Sequence, residues 1–218
     1  MKNIYTIFTL FLLFLAPINV SAQNINTNPF WEGEIILNDG TSQQGFIQVP
    51  NNPAQGKVLI KSTKNGKNKK VKKKDIQTIK LTSQSGTVYQ FEPVKVVLTL
   101  KGNSSLGKSL LLISKENDYA KFYVSYGVYR VNKDGELYML YRYMQGRDFP
   151  SLEYYIKKRD FEKARLFHET NLSRGFKKSA NAYLKEDPAL LKKINNNELN
   201  FKDIDEIIEM YLETTKNL

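Results

Sequence analysis

The sequence predicts an α+β fold: an antiparallel β-sheet or partial barrel followed by a small C-terminal helical subdomain. Three observations predict it. Between residues 33 and 157 the apolar residues come in strand-length runs, several of them alternating with polar positions. Turn signals such as Asn38-Asp39-Gly40, Asn65-Gly66, Ser85-Gly86 and Asn132-Lys133-Asp134-Gly135 punctuate those runs. From Ser173 onward the apolar period lengthens to about 3.6. Strands at the front and helices at the back favour a segregated α+β layout over a doubly wound α/β sheet. The implied organisation is a signal peptide over residues 1–22, a β-rich domain over 23–170 and the helical subdomain over 171–218.

The leader has three parts. Lys2 is a short positive region, Ile4 to Ala16 form a mostly apolar run too short to span a bilayer, and Val20-Ser21-Ala22 offers small residues before a cut at Gln23. Export to the periplasm, the cell surface or the medium is therefore expected, which takes cytosolic ATP and NAD off the list of easy ligands. The chain has no cysteine, so disulfides, thiolate metal sites and a lipid-bearing cysteine at the cut are all excluded. No cofactor is expected.

In order, Gly33 to Leu37 and Thr41 to Val49 read as a hairpin about Asn38-Asp39-Gly40. Lys57 to Ser62 alternates Val58 and Ile60 with polar positions, whereas Asp75 to Leu81 alternates imperfectly and leaves its buried face open. Thr87 to Phe91, Val94 to Leu100 and Ser109 to Ser114 are further strand-length runs. Tyr119 to Val131 and Glu136 to Met144 are expected to pair as a hairpin, and Leu152 to Lys157 adds a strand. Phe161 to Glu169 fits strand or helix equally well.

Three helices close the chain. Ser173 is the expected cap of the first, with Phe176, Ala180, Tyr183 and Leu184 inward. Asp187-Pro188 puts an N-cap acid before an N1 proline and opens a second, with Leu190, Leu191 and Ile194 inward. Asn200 and Asp203 form a capping arrangement before a last helix striped by Ile204, Ile207, Ile208 and Tyr211. Tyr183-Leu184, Asp187-Pro188, Leu190, Lys193-Ile194, Asp203-Ile204, Ile207-Ile208 and Tyr211 resemble the tail of uncharacterised exported proteins of Gram-negative bacteria that open with a strand-rich region. That resemblance covers about a fifth of the chain and implies an architecture without a chemistry.

Charge is concentrated in one place. The whole chain carries a formal +11, and residues 57–80 alone hold ten lysines against one acid, Asp75. Within it, Lys64, Lys67, Lys69, Lys70, Lys72, Lys73 and Lys74 are the candidate contact for a polyanion: anionic lipid, lipopolysaccharide or acidic polysaccharide. The bland account of the same cluster is a hairpin tip kept soluble and unable to pair edge to edge by its charge. Val71 is the sole apolar residue from Lys64 to Lys74, so bases would find no aromatic platform and nucleic acid is not expected.

Other motifs weigh less. Gly102 to Ser109 matches the phosphate-cradling loop and Ser105-Leu106-Gly107-Lys108 matches S-x-x-K, but both chemistries need a helix starting there, and Leu110 to Ile113 is a strand-length run. His168 is the sole histidine and is expected at the surface or as a cap. Asp203, Asp205, Glu206, Glu209 and Glu213 fall on the solvated face of the last helix. Tyr123, Tyr129 and Tyr138 share the parity opposite the apolar set, giving either an exposed face for an envelope protein or a face covered by the C-terminal helices. The expectation is a non-enzymatic exported binding protein without a transmembrane span after cleavage, with a tyrosine-face interaction module or an envelope hydrolase on Ser105 and Lys108 as alternatives.

Overall fold

Two-residue alternation and glycine turns govern most of the chain in a computed structural model that describes residues 29–98, 106–125, 127–140, 152–169 and 175–218, with the backbone alone at 106 and 138–140. The expected signal peptide, Gly102 to Ser105, Tyr126, residues 141–151 and the Ser173 cap lie outside them.

β1 (Phe30–Leu37) and β2 (Ser42–Gln48) form the expected hairpin, with Trp31 opposite Ile47 and Gly33 opposite Gly45. Asp39 holds its turn by accepting from the Thr41 N–H at 2.9 Å and the Thr41 hydroxyl at 2.7 Å, and Gly40 supplies the positive φ of 83°. β3 (Lys57–Lys61) and β4 (Lys69–Lys72) extend the sheet from β2, and a 3₁₀ turn at Lys73–Asp75 carries the chain to β5 (Ile76–Thr82) on the far side of β1. The irregular alternation in β5 has a cause: Ile36 pairs with Thr78 and Leu37 with Ile76, so Gln77 is an extra, bulged residue.

β6 (Val88–Val97) runs unbroken through Pro93, where two strands were expected. Leu110, opposite Pro93, sends its N–H to the Pro53 carbonyl at 2.8 Å. The pair is therefore not a hydrogen-bonded one, and the missing proline N–H costs no ladder bond. β7 (Leu106–Glu116) and β8 (Ala120–Ser125) follow, then β9 (Val128–Val131) and β10 (Leu137–Leu140) as a separate two-stranded sheet. The expected pairing of Tyr119–Val131 with Glu136–Met144 thus holds for β9 with β10, while β8 pairs with β7 and with β11 (Glu153–Lys158). The undecided stretch at 161–169 is a strand, β12 (Ala164–Glu169).

The large sheet has the order β12-β11-β8-β7-β6-β5-β1-β2-β3-β4, and β12 reaches round to pair parallel with β6 at Ala164–Val96 and Arg165–Val97. The sheet is a partial ring, not a barrel. One half rolls up and the other flares away.

One face of the sheet is covered twice. Over the flared half lies the β9–β10 hairpin, whose Tyr129 meets Phe91 edge-on at 5.3 Å in a cluster with Ile35, Ile47, Ile79 and Leu81. Over the rolled half lie α1 (Phe176–Tyr183), α2 (Pro188–Asn195) and α3 (Ile204–Thr215), which share one core with Phe122, Val124, Ile156 and Phe167. Ile207, Ile208 and Tyr211 are fully buried there, each worth about 1.5–3 kcal/mol of apolar transfer.

The helix caps are those the sequence announces, except the first. Asp187 accepts from the Leu190 N–H at 2.9 Å, and Asn200 and Asp203 cap each other's backbone reciprocally. α1 instead starts after Gly175 at φ 101°, with no side-chain cap. Lys158, itself buried, pins the helices to the sheet through Glu186 at 2.6 Å, and the Tyr211 hydroxyl donates to the same carboxylate at 2.7 Å. Burial alone would raise the Glu186 pKa, but these two donors outweigh it and hold the carboxyl down at about 2.

Gly33 and Gly45 set how closely the flared strands approach. A Cβ on Gly33 would sit 2.1 Å from the Lys80 carbonyl oxygen, and one on Gly45 2.2 Å from that of Lys61. Gly33→Ala and Gly45→Ala should each cost about 1–3 kcal/mol in urea unfolding. Gly107→Ala, at an open site, should stay within about 0.5 kcal/mol. Equal effects at all three positions would contradict this account of the sheet.

Candidate functional site

Strand alternation sorts the lysine cluster. Val71 is buried, so Lys70 and Lys72 on β4 turn to the face of the sheet that no described residue covers. On β3, Val58 and Ile60 are buried and Lys57, Leu59 and Lys61 take the open face. The register sets Lys72 opposite Lys57, Lys70 opposite Leu59 and Lys61 opposite Phe46. The Lys61 ammonium also lies 4.2 Å from the centre of the Phe30 ring. The result is four lysines around half-buried Leu59, Phe46 and Phe30, and none of the four forms an ion pair among the described residues. Glu32 and Glu34, on the same face, belong to β1, two strands from β3.

The other five candidate lysines are placed differently. Lys64 and Lys67 are exposed in the β3–β4 connection. Lys69 has the parity of Val71, and its ammonium donates to Gln43 Oε1 at 3.0 Å. Lys73 is half-buried, its ammonium 3.3 Å from the Ala54 carbonyl and its backbone N–H on the Gly56 carbonyl at 2.9 Å, and desolvation lowers its pKa below the usual lysine value. It ties the 3₁₀ turn to the loop before β3. Lys74 is exposed, and its carbonyl accepts from the Asn38 amide at 2.7 Å. Of the seven, the fold brings only Lys70 and Lys72 onto one face, and it joins to them Lys57 and Lys61. Charge density pointed to residues 64–74, whereas the alternation of Lys57, Val58, Leu59, Ile60 and Lys61 was the signal for the rest.

Tyr123 and Tyr129 do not present an exposed face. Tyr123 is fully buried inside the rolled half, donating to Glu92 Oε2 at 2.8 Å, and Tyr129 is fully buried under β9–β10, its hydroxyl on the Leu110 carbonyl at 3.1 Å. They belong to different cores, because the sheet buries both of its faces in different regions. The side chain of Tyr138 lies outside the described residues.

Lys108 and Ser109 sit inside β7. A strand points successive amides to alternate sides, so neither the phosphate loop nor the S-x-x-K geometry has its helix. The acids Asp205, Glu206, Glu209 and Glu213 are exposed on α3, as the helical spacing requires. Among the described residues no three His, Cys, Asp or Glu side chains converge as a metal site would need, and no helix is long and apolar enough to cross a membrane.

His168 is a core residue and not a surface or capping one. It is 4% exposed, with Phe176 at 5.2 Å and Phe201 at 5.6 Å between ring centres, and its Nε2 has no hydrogen-bond partner among the described residues. Burial, opposed only by nearby Glu169, pushes its pKa down to about 4.

No family model, curated protein or solved structure matches this chain, so the geometry itself carries the functional reading.

The histidine generates a pH prediction. Its folded pKa lies below the unfolded value of about 6.5, so the unfolded chain takes up the proton first as pH falls. The stability it contributes is present above about pH 6.5 and is lost on the way down to about pH 4, by up to about 3 kcal/mol. Urea unfolding of His168→Leu should show a flatter pH dependence across that window than the wild type. Parallel curves would contradict it.

Proposed function

We propose that this is an exported, non-enzymatic binding protein whose basic sheet face docks on phosphate-bearing lipid headgroups of the cell envelope. The observation that carries the reading is the set Lys57, Lys61, Lys70 and Lys72 on one face, uncovered and without acid partners among the described residues, around half-buried Phe30, Phe46 and Leu59. Each lysine near an anionic surface contributes about 1 kcal/mol at low ionic strength, and the apolar residues between them suit the boundary where headgroups meet acyl chains. The leader-like N-terminal residues support delivery to that surface. The edge position of β4 fits as well: its lysines block strand addition while leaving the face free for a planar partner.

Co-sedimentation with phosphatidylglycerol and phosphatidylcholine vesicles tests this. The protein should bind the anionic vesicles and not the neutral ones, and its affinity should fall at least about tenfold between 0.05 and 0.3 M salt. The variant K57Q/K61Q/K70Q/K72Q should lose the difference. Binding that ignores lipid charge, or that survives the fourfold substitution, would overturn the reading.

A further inference from the structure

The rolled half of the sheet has an inside, filled at its centre by Val94, Leu111, Tyr123 and Tyr155. A cleft of about 580 Å³ opens at the end of the roll where β8 stops at Ser125, and the 51–54 loop and the start of β9 bound it. The strand registers aim one set of side chains into that end. Ser125 is directly opposite Glu153 across β8–β11, one step along the inner face from the Tyr123–Tyr155 pair. Ile113 is opposite Tyr123 across β7–β8, so Leu111 and Ser109, at alternate positions of β7, take the same face. Val94, opposite Ser109, and Val96 bring β6 to it. Ser109, Ser125, Glu153 and Val96 therefore share one concave surface, and all four line the cleft.

Several groups there lack a partner among the described residues. Ser125 is 5% exposed, yet its hydroxyl makes no hydrogen bond among them. Glu153 accepts from the Tyr155 hydroxyl through Oε2 at 2.8 Å and forms no ion pair among them. Arg130 supplies the opposite charge. It alternates on β9 with Tyr129 and Val131, which face the flared core, so its guanidinium turns away from that core. Its Nη1 donates to Asn51 Oδ1 and, at 3.1 Å, to the Tyr129 carbonyl. Asn51 and Arg130 both line the cleft, and Arg130 too is without an ion pair among the described residues. Leu98, 44% exposed, opens on the same space with Val96 and Val128. The cleft thus carries one negative and one positive group that do not neutralise each other, and an apolar wall.

We propose that this cleft binds a small zwitterion of the amino-acid or dipeptide class with an apolar side chain. Glu153 and the Ser125 hydroxyl accept from its ammonium group, Arg130 donates to its carboxylate, and Val96, Leu98 and Val128 take the side chain. A ligand of one sign would be repelled by one of the two charged groups. A neutral sugar would find no open ring to stack on, since Tyr155, the sole aromatic among the described lining residues, is buried. The site shares no residue with the basic sheet face and does not rest on the function proposed for it.

Backbone NMR titration with leucyl-leucine and, in separate arms, with N-acetyl-leucine amide and glucose tests the site. The dipeptide should give saturable shifts at the amides of Ser109, Ser125 and Glu153 and raise the melting temperature. The blocked analogue, which lacks both charges, should do neither at the same concentration. E153Q and R130Q should each weaken dipeptide binding at least about tenfold. S125A should weaken it by about two- to tenfold. That change should leave the melting temperature of the free protein as it is, because the hydroxyl it removes has no partner among the described residues. K57Q/K61Q/K70Q/K72Q should keep the dipeptide response. No saturable response to leucyl-leucine, an equal response to the blocked analogue or to glucose, or dipeptide binding that survives both E153Q and R130Q would overturn the proposal.

Discussion

The structure depends on the double use of β6. Its first half, up to Phe91, carries the flared strands through β5, and its last residues, Val96 and Val97, close the roll against β12. Only a strand whose outer edge is unpaired in the middle can serve both, and Pro93 sits in that middle at a pair that needs no N–H. From this division follow a sheet with one face covered throughout, by a hairpin on one side and helices on the other, and a second face that is core in the roll and surface in the flare.

That change of role along a single face places the charges. In the roll, inward-facing Lys121 is balanced by Glu92 and Glu116. On the flare, lysines face water, and Lys57, Lys61, Lys70 and Lys72 form no ion pair among the described residues beside half-buried apolar side chains.

Much of the architecture is legible in the sequence. The Asn38-Asp39-Gly40 hairpin, the Asp187 cap and the Asn200–Asp203 box rest on interactions within a few residues, which local sequence specifies. What the sequence withheld depends on partners far along the chain. Pro93 reads as a break because nothing nearby says which edge of its strand is free. Tyr123 lies opposite the apolar parity of β8, yet in a sheet that rolls that parity also finds a core, whereas Tyr129 falls on the separate β9–β10 hairpin and shares its buried face with Val131. His168 looked polar and is held among Phe176 and Phe201, which arrive from two later elements. In the basic patch, counting lysines points to the β3–β4 hairpin, and only the pairing of β3 with β4 shows which of them share a face.

The open face of the flared strands is the surface proposed to meet anionic headgroups. Amide hydrogen exchange measured on the protein alone and on phosphatidylglycerol vesicles tests it most directly. Slowed exchange should appear in residues 57–61 and 69–72, with α1, α2, α3 and β11 unchanged. Slowing centred on the helices, or no difference between the free and vesicle-bound states, would contradict it.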